Sequence, residues 1–85
     1  MFVTTRLSTT LRDLVPGYPA VTGLEVEIPD SATAKDLALK LGLPLSEIKI
    51  VMLNGRRVTI EVKLNAGDRV GFFPAVGGGL KLANL

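Results

Sequence analysis

A single amphipathic helix is the feature that most restricts how this chain folds. Four apolar residues recur there at helical spacing: Ala34, Leu37, Ala38 and Leu41. Thr33 suits the N-cap, and Asp36, three residues on, suits a capping box. Gly42 ends the helix, and Pro44 prevents its resumption. One helix cannot bury its own apolar stripe, so a sheet must cover it.

The rest of the chain supplies short strands for that sheet. Residues 24–28 alternate apolar and acidic side chains, which is typical of a strand with one wet face. Asn54-Gly55 predicts a tight hairpin, because both central residues of a type I′ turn need positive φ. The predicted strands are 2–7, 24–28, 48–53, a short return strand that begins with 56–58, and 69–73, with a helical turn at 11–14. The sequence therefore predicts an α+β fold, a mixed sheet of four to five strands with one main helix packed across it.

Composition excludes several classes of protein. The 85 residues make one domain and include no cysteine or histidine, so disulfides, the usual zinc sites, a catalytic thiol and an imidazole base are excluded. Ten basic and eight acidic residues are interspersed, unlike the clustered cations of a nucleic-acid footprint. No signal peptide is recognisable, and no stretch approaches the roughly 20 apolar residues that span a bilayer. A cytoplasmic protein without membrane or nucleic-acid partners is expected.

Four stretches together resemble the ubiquitin-like sulfur carriers of the MoaD/ThiS family. They are "LRDL" at 11–14, the helix at about 33–42, "VMLNGRRV" at 51–58 and "NAGDRVGFFPAVGGG" at 65–79. The last combines a Gly-Asp turn, a final strand and a diglycine end. The resemblance implies the ubiquitin-like β-grasp fold, and chain length favours the MoaD branch over the shorter ThiS carriers.

The resemblance also implies a chemistry in which the chain is a substrate and not an enzyme. A ubiquitin-activating-type enzyme would use ATP to adenylate the C-terminal glycine, and a sulfur donor would then form a thiocarboxylate. A biosynthetic partner would take the sulfur for molybdopterin, or for thiazole in the ThiS branch. The chain would then bind no cofactor or metal of its own and would serve as a carrier, in the MoaD branch as the small subunit of a molybdopterin synthase-like complex.

The family motif places the activated end at Gly78 and Gly79. Glycine has no Cβ, so backbone there can enter a narrow channel and approach phosphates. The predicted partner-binding residues are Gly77, Val76, Pro74, Phe73, Phe72 and Arg56. Because neighbouring strand residues point to opposite faces, one of the two phenylalanines is expected in the core and the other on the far face.

The chain departs from the family pattern after Gly79. That residue is joined to Leu80 and has no free carboxylate. Three explanations fit: a peptidase removes 80–85, those residues are an addition foreign to the natural protein, or the end is permanently blocked. We favour removal. Residues 1–76 are then the β-grasp domain, and 77–85 are a flexible Gly-rich tail.

Other functions compete with the carrier hypothesis. A blocked end suits a β-grasp interaction module, either an adaptor or an RNA-associated domain of the TGS type. A free glycine end also suits a modifier that is joined to lysines of other proteins. An enzyme ranks last, because the usual general-acid, general-base and nucleophilic side chains are nearly exhausted. The sulfur acceptor is left open by the sequence.

Overall fold

The computed structural model describes residues 1–19 and 22–74. Its strands are β1 (Phe2–Leu7), β2 (Leu24–Glu27), β3 (Ile48–Leu53), β4 (Arg56–Val58) and β5 (Arg69–Pro74). Its helices are α1 (Thr9–Arg12) and α2 (Ala34–Lys40), and a 3₁₀ turn spans Leu45–Glu47. The predicted domain boundary at residue 76 lies outside the described residues.

The five strands form one mixed sheet in the order β2-β1-β5-β3-β4. The central pair, β1 and β5, is parallel, and the other three pairs are antiparallel. A parallel pair needs a long crossover, and the chain between β1 and β5 contains the rest of the fold. The predicted α+β arrangement is confirmed, with a five-stranded mixed sheet and α2 packed across it.

Strand alternation divides the sheet into a core face and an outer face. The core face contributes the side chains of Val3, Val26, Val51, Val70 and Phe72, each 7% exposed or less. The helix α2 lays Ala34, Leu37 and Ala38 against them, all fully buried. Leu41, the last residue of the predicted stripe, packs at the margin of this core. The apolar stripe and the sheet therefore meet as the sequence predicts.

The two ends of α2 are fixed by local interactions. The Thr33 hydroxyl accepts a hydrogen bond from the Asp36 amide at 3.2 Å, and the Asp36 carboxylate accepts one from the Thr33 amide at 2.9 Å. This confirms the capping box. Gly42 follows the C-cap with φ of 74°, which favours glycine. Neither described helix has the length and apolar character that crossing a bilayer requires.

Four local details differ from the sequence prediction, among them the end of β2 at Glu27 rather than Ile28. The first helix begins at Thr9 rather than Leu11, because an immediate start after β1 turns Leu11 into the core, where it is 1% exposed. The strand β5 continues through Pro74, which pairs with Ile48 at the start of β3. The 3₁₀ turn at Leu45–Glu47 was not predicted, since it depends on the geometry that follows Pro44.

One buried polar group generates a stability prediction. Thr5 is fully buried on β1, and its hydroxyl oxygen has no hydrogen-bond partner among the described residues. Burying an unsatisfied hydroxyl costs free energy, so we expect Thr5→Val to raise the free energy of unfolding by about 1 kcal/mol. Urea denaturation measures the change.

Val3 provides the matched control for Thr5, because it is also fully buried on the same strand and face. Val3→Thr should lower the free energy of unfolding by about 1–2 kcal/mol, since it adds a hydroxyl at a site shaped for an apolar group. A loss of stability in Thr5→Val would contradict the prediction and show that its hydroxyl is satisfied.

Candidate functional site

The outer face of the sheet carries an apolar centre with arginines around it. Register places Phe73 opposite Ile50 and places Gly71 opposite Met52. The same rows continue to Arg6 on β1, which lies beside Gly71, and to Arg57 on β4, which lies beside Met52. Phe73 is 38% exposed, and Met52 and Ile50 are half-buried. A water-exposed strand face of this composition suits contact with another protein.

A shallow groove lies on this outer face with Gly71 on its floor. Its volume is about 330 Å³, and we call it the outer groove. It is lined by Thr4, Arg6, Thr22, Met52, Gly55, Arg69, Val70, Gly71 and Phe73. A Cβ at residue 71 would lie 3.2 Å from Phe73 Cε1 and 3.7 Å from Met52 Cβ. Glycine therefore keeps the groove open between the two larger side chains.

The structure separates the two phenylalanines as the strand pattern predicts. Phe72 is fully buried in the core, whereas Phe73 emerges on the outer face. Phe72 therefore anchors β5, and its side chain does not reach the surface. Pro74 is half-buried at the end of the same strand, directly after Phe73. The outer groove and the end of β5 are thus adjacent.

Arg56 does not share the outer face with Phe73. It pairs with Leu53, whose other neighbour in the sheet is the buried Val70, so Arg56 lies on the core-facing side of the β4 edge. The neighbouring Arg57 occupies the outer-face position instead. Gly77, Val76 and the activated residues Gly78 and Gly79 lie outside the described residues, so their roles stay predictions, as do the partner-binding roles of Phe73, Pro74 and Arg56.

Sequence reasoning missed the other residues that line the outer groove with Phe73. Arg69 and Gly71 precede Phe73 by four and two residues and so lie on the same face of β5. That signal was available from alternation alone. Met52 could have been found through the Asn54-Gly55 turn, which fixes the β3–β4 register. Arg6 and Thr4 needed the parallel β1–β5 pairing, which no local pattern specifies.

Asn54 and Asp68 tie together the two turns at one end of the sheet. The Asn54 side chain donates to Asp68 Oδ1 at 3.0 Å and accepts from the Arg69 amide at 2.9 Å. Asp68 Oδ2 accepts from the Asn65 amide at 2.7 Å, which caps its own turn. These bonds hold the start of β5, and hence Arg69 of the outer groove, against the hairpin. Both side chains therefore have a structural role in the turns.

The comparison with protein-family models shows to which family the chain belongs. The model described as "Mut7-C ubiquitin" matches residues 1–77. The chain belongs to the Mut7-C ubiquitin family. This confirms the ubiquitin-like relationship predicted from the motifs. No significant match was found among curated proteins.

This Mut7-C ubiquitin chain is similar to solved structures of small proteins from Haloferax volcanii and Pyrococcus furiosus. The Haloferax volcanii HVO 2177 protein superposes with a TM-score of 0.71 at 26% identity, over 93% of this chain and 87% of that one. A putative molybdopterin converting factor, subunit 1, from Pyrococcus furiosus gives 0.65 at 26%, over 89% and 99%. SAMP1 from Haloferax volcanii gives 0.65 at 20%, over 93% and 100%, which is a likeness of fold. The β-grasp fold and these relatives support a small ubiquitin-like carrier or modifier, a class of protein that is generally not enzymatic itself.

The turn network of this Mut7-C ubiquitin domain predicts how Asn54 contributes to stability. Asn54 has φ of 50°, a left-handed conformation that glycine adopts without strain. Asn54→Gly removes the two side-chain bonds only and should cost about 1–2 kcal/mol of unfolding free energy. Asn54→Ala adds backbone strain and should cost about 1 kcal/mol more. Urea denaturation of both variants measures the difference, and equal stability of Asn54→Gly and the parent chain would contradict a role for the network.

Proposed function

We propose that the chain is a ubiquitin-like sulfur carrier. Its Gly79, after removal of residues 80–85, is adenylated and converted to a thiocarboxylate that supplies sulfur for a molybdopterin-type cofactor. The observation that carries this proposal is the 26% identity to the Pyrococcus furiosus protein named as a putative molybdopterin converting factor subunit, over 89% of this chain. The glycines at 77–79 stand where such a carrier needs its acyl terminus.

The position of β5 supports delivery of a terminus to a partner. This strand is central, with β1 on one side and β3 on the other, and Phe72 anchors it in the core. Gly79 follows Pro74 by five residues, which span at most about 17 Å when fully extended. A partner that grips the outer groove therefore needs an active site within that distance of the end of β5. The carrier would hold its terminus at the end of an anchored strand, and the partner would supply the catalytic groups.

The proposed chemistry starts from a carboxylate that is a poor electrophile. An oxygen of the Gly79 carboxylate attacks the α-phosphorus of ATP in the activating enzyme, and pyrophosphate leaves. A hydrosulfide equivalent then attacks the acyl carbon, and AMP leaves to give the thiocarboxylate. ATP is therefore a substrate of the activating enzyme and not a cofactor of this chain. Gly78 and Gly79, without Cβ atoms, allow the backbone to lie close to the nucleotide phosphates.

The outer groove is the proposed contact surface for two successive partners, the activating enzyme and the synthase subunit that accepts sulfur. Phe73 and Met52 offer apolar contact, and Gly71 leaves room for a protruding side chain from the partner. Arg6 and Arg69 at the margin suit carboxylates on that partner. Aromatic and arginine side chains are the groups most often found at the centre of such interfaces.

The first test is whether the chain is processed and loaded. Intact mass spectrometry of the untagged protein from its own cells should find a chain that ends at Gly79, with a fraction carrying sulfur in place of one terminal oxygen. A chain that ends at Gly79 and is joined to lysines of other proteins would instead support a modifier. A chain that retains Leu85 in all growth conditions would overturn the carrier proposal and favour a β-grasp interaction module.

The second test separates activation from partner contact. In ATP–pyrophosphate exchange with the cognate activating enzyme, a chain ending at Gly79 should exchange and the 85-residue chain should not. In the chain ending at Gly79, Phe73→Ser should lower kcat/KM for exchange about tenfold or more, because a half-exposed aromatic at an interface centre contributes strongly to binding.

Phe2→Ser is the matched control for that experiment. Phe2 is 53% exposed on the outer face, but it lies at the opposite end of β1 from the residues that pair with the end of β5. Its substitution should leave kcat/KM within about twofold of the parent. Equal losses for the two variants would show that the outer groove is not a specific contact.

A further inference from the structure

A second concave surface lies on the other side of the sheet, at its β4 edge. It has a volume of about 520 Å³, and we call it the edge cleft. It is lined by Lys35, Leu45, Ile48, Lys49, Val51, Arg57, Val58, Thr59, Ile60 and Glu61. The proposed sulfur-carrier function does not use the edge cleft, so a ligand bound there would be additional to that function.

The cleft exists because α2 is too short to cover the whole core face. Its seven residues extend about 10 Å, so it covers only part of the core face. Ile48, Val58 and Ile60 at the β4 side are therefore only half-buried. Together with Leu45 from the 3₁₀ turn they leave an apolar floor open to solvent. An open apolar floor of this kind is a feature that binding surfaces use.

Backbone hydrogen bonds hold the wall of the cleft in place. The Lys35 amide donates to the Ile60 carbonyl at 2.8 Å, and the Ala34 amide donates to the Val62 carbonyl at 3.0 Å. These bonds fasten the segment after β4 to the first turn of α2. The cleft is thus preformed, which reduces the entropy lost when a ligand binds.

A bulge in β3 brings a cation to the cleft beside an apolar residue. The register between β3 and β5 shifts between Ile48 and Ile50, so Lys49 is not paired with a residue of β5. Strict alternation would place consecutive residues on opposite faces, but Ile48 and Lys49 both line the cleft. The bulge therefore adds the positive charge of Lys49 to the cleft while Ile48 remains part of its apolar floor.

The rim of the cleft is positively charged and uncompensated. Lys35 and Lys49 line it, and so does Arg57, which occupies an outer-face position on the edge strand β4 and borders the cleft at that edge. Glu61 is the one acidic residue in the lining. Within the described part of the chain, the side chains of these four residues form no ion pair and no hydrogen bond. Three cations around an apolar floor, with one carboxylate, match a ligand that is both acidic and aliphatic.

We propose that the edge cleft binds an acidic peptide segment of a partner protein. Aliphatic side chains of that segment enter the floor at Ile48, Val58 and Ile60, and its flanking carboxylates pair with Lys35, Lys49 and Arg57. The strand β4 is the last of the sheet, so an extended segment can lie along it. Binding is weak, salt-sensitive and independent of what happens at Gly79.

The experiment is an NMR titration of the ¹⁵N-labelled 85-residue chain. The probe is a synthetic peptide with the core Val-Ile-Val-Leu between two blocks of aspartates, and the control peptide replaces every aspartate by serine. The acidic peptide should shift the amides of Leu45, Ile48, Val58 and Ile60 and leave Gly71 and Phe73 in place. The serine peptide should bind at least about fivefold more weakly, and added salt should weaken the acidic peptide alone.

Charge-matched variants of the protein test the site. Lys49→Glu should weaken the acidic peptide about fivefold, whereas Arg12→Glu, the same charge change on α1 away from the cleft, should weaken it less than twofold. Both residues are exposed, so both variants should fold. Equal weakening would show non-specific attraction and overturn the proposal.

Three other outcomes would also overturn it. One is a peptide that shifts no amides at millimolar concentration, and another is a peptide that shifts the amides of the outer groove. A single-stranded RNA oligonucleotide that shifts the cleft amides at lower concentration than the peptide would assign the cleft to nucleic acid.

Discussion

The burial of Phe72 in the core is the interaction on which the rest of the structure depends. Phe72 is the largest fully buried side chain, and it lies on the central strand, opposite Leu7 on one side and Val51 on the other. Burial of such a side chain stabilises the fold by about 2–3 kcal/mol. Because side chains alternate, this burial also forces Phe73 outward. Because side chains alternate along a strand, the burial of Phe72 determines which residues of β5 lie on the outer face.

Several elements could be predicted because their causes are local. The capping box of Thr33 and Asp36, the Asn54-Gly55 hairpin and the opposite orientations of Phe72 and Phe73 each depend on residues within a few positions of one another. The β1–β5 pairing is different, because it joins strands separated by most of the chain. No local pattern specifies it, and the outer-groove residues Arg6 and Thr4, whose positions depend on that pairing, were not predicted.

The remaining misses came from tertiary geometry that overrides simple patterns. The bulge at Lys49 breaks the alternation of β3, and no glycine or turn residue beside it would have allowed its prediction from the sequence. The edge cleft depends on how far α2 reaches across the sheet, which follows from the seven-residue length of the helix and the position of the 3₁₀ turn. The register gives the outer-face position beside Met52 to Arg57 and not to Arg56, because neighbouring strand residues point to opposite faces. The partner-binding role of Arg56 stays a prediction.

The two concave surfaces have different consequences for how partners would be arranged. The outer groove lies beside the end of β5, so every protein that acts on the terminus of a carrier would contact the same small area. Partners of that kind must bind one after another, and each must release the chain before the next can act. The edge cleft lies at the β4 edge of the sheet and is lined in part by Lys35 of α2, whereas no residue of α2 lines the outer groove. An acidic segment bound there would leave the outer groove open, so it could hold the chain near its successive partners while they exchange.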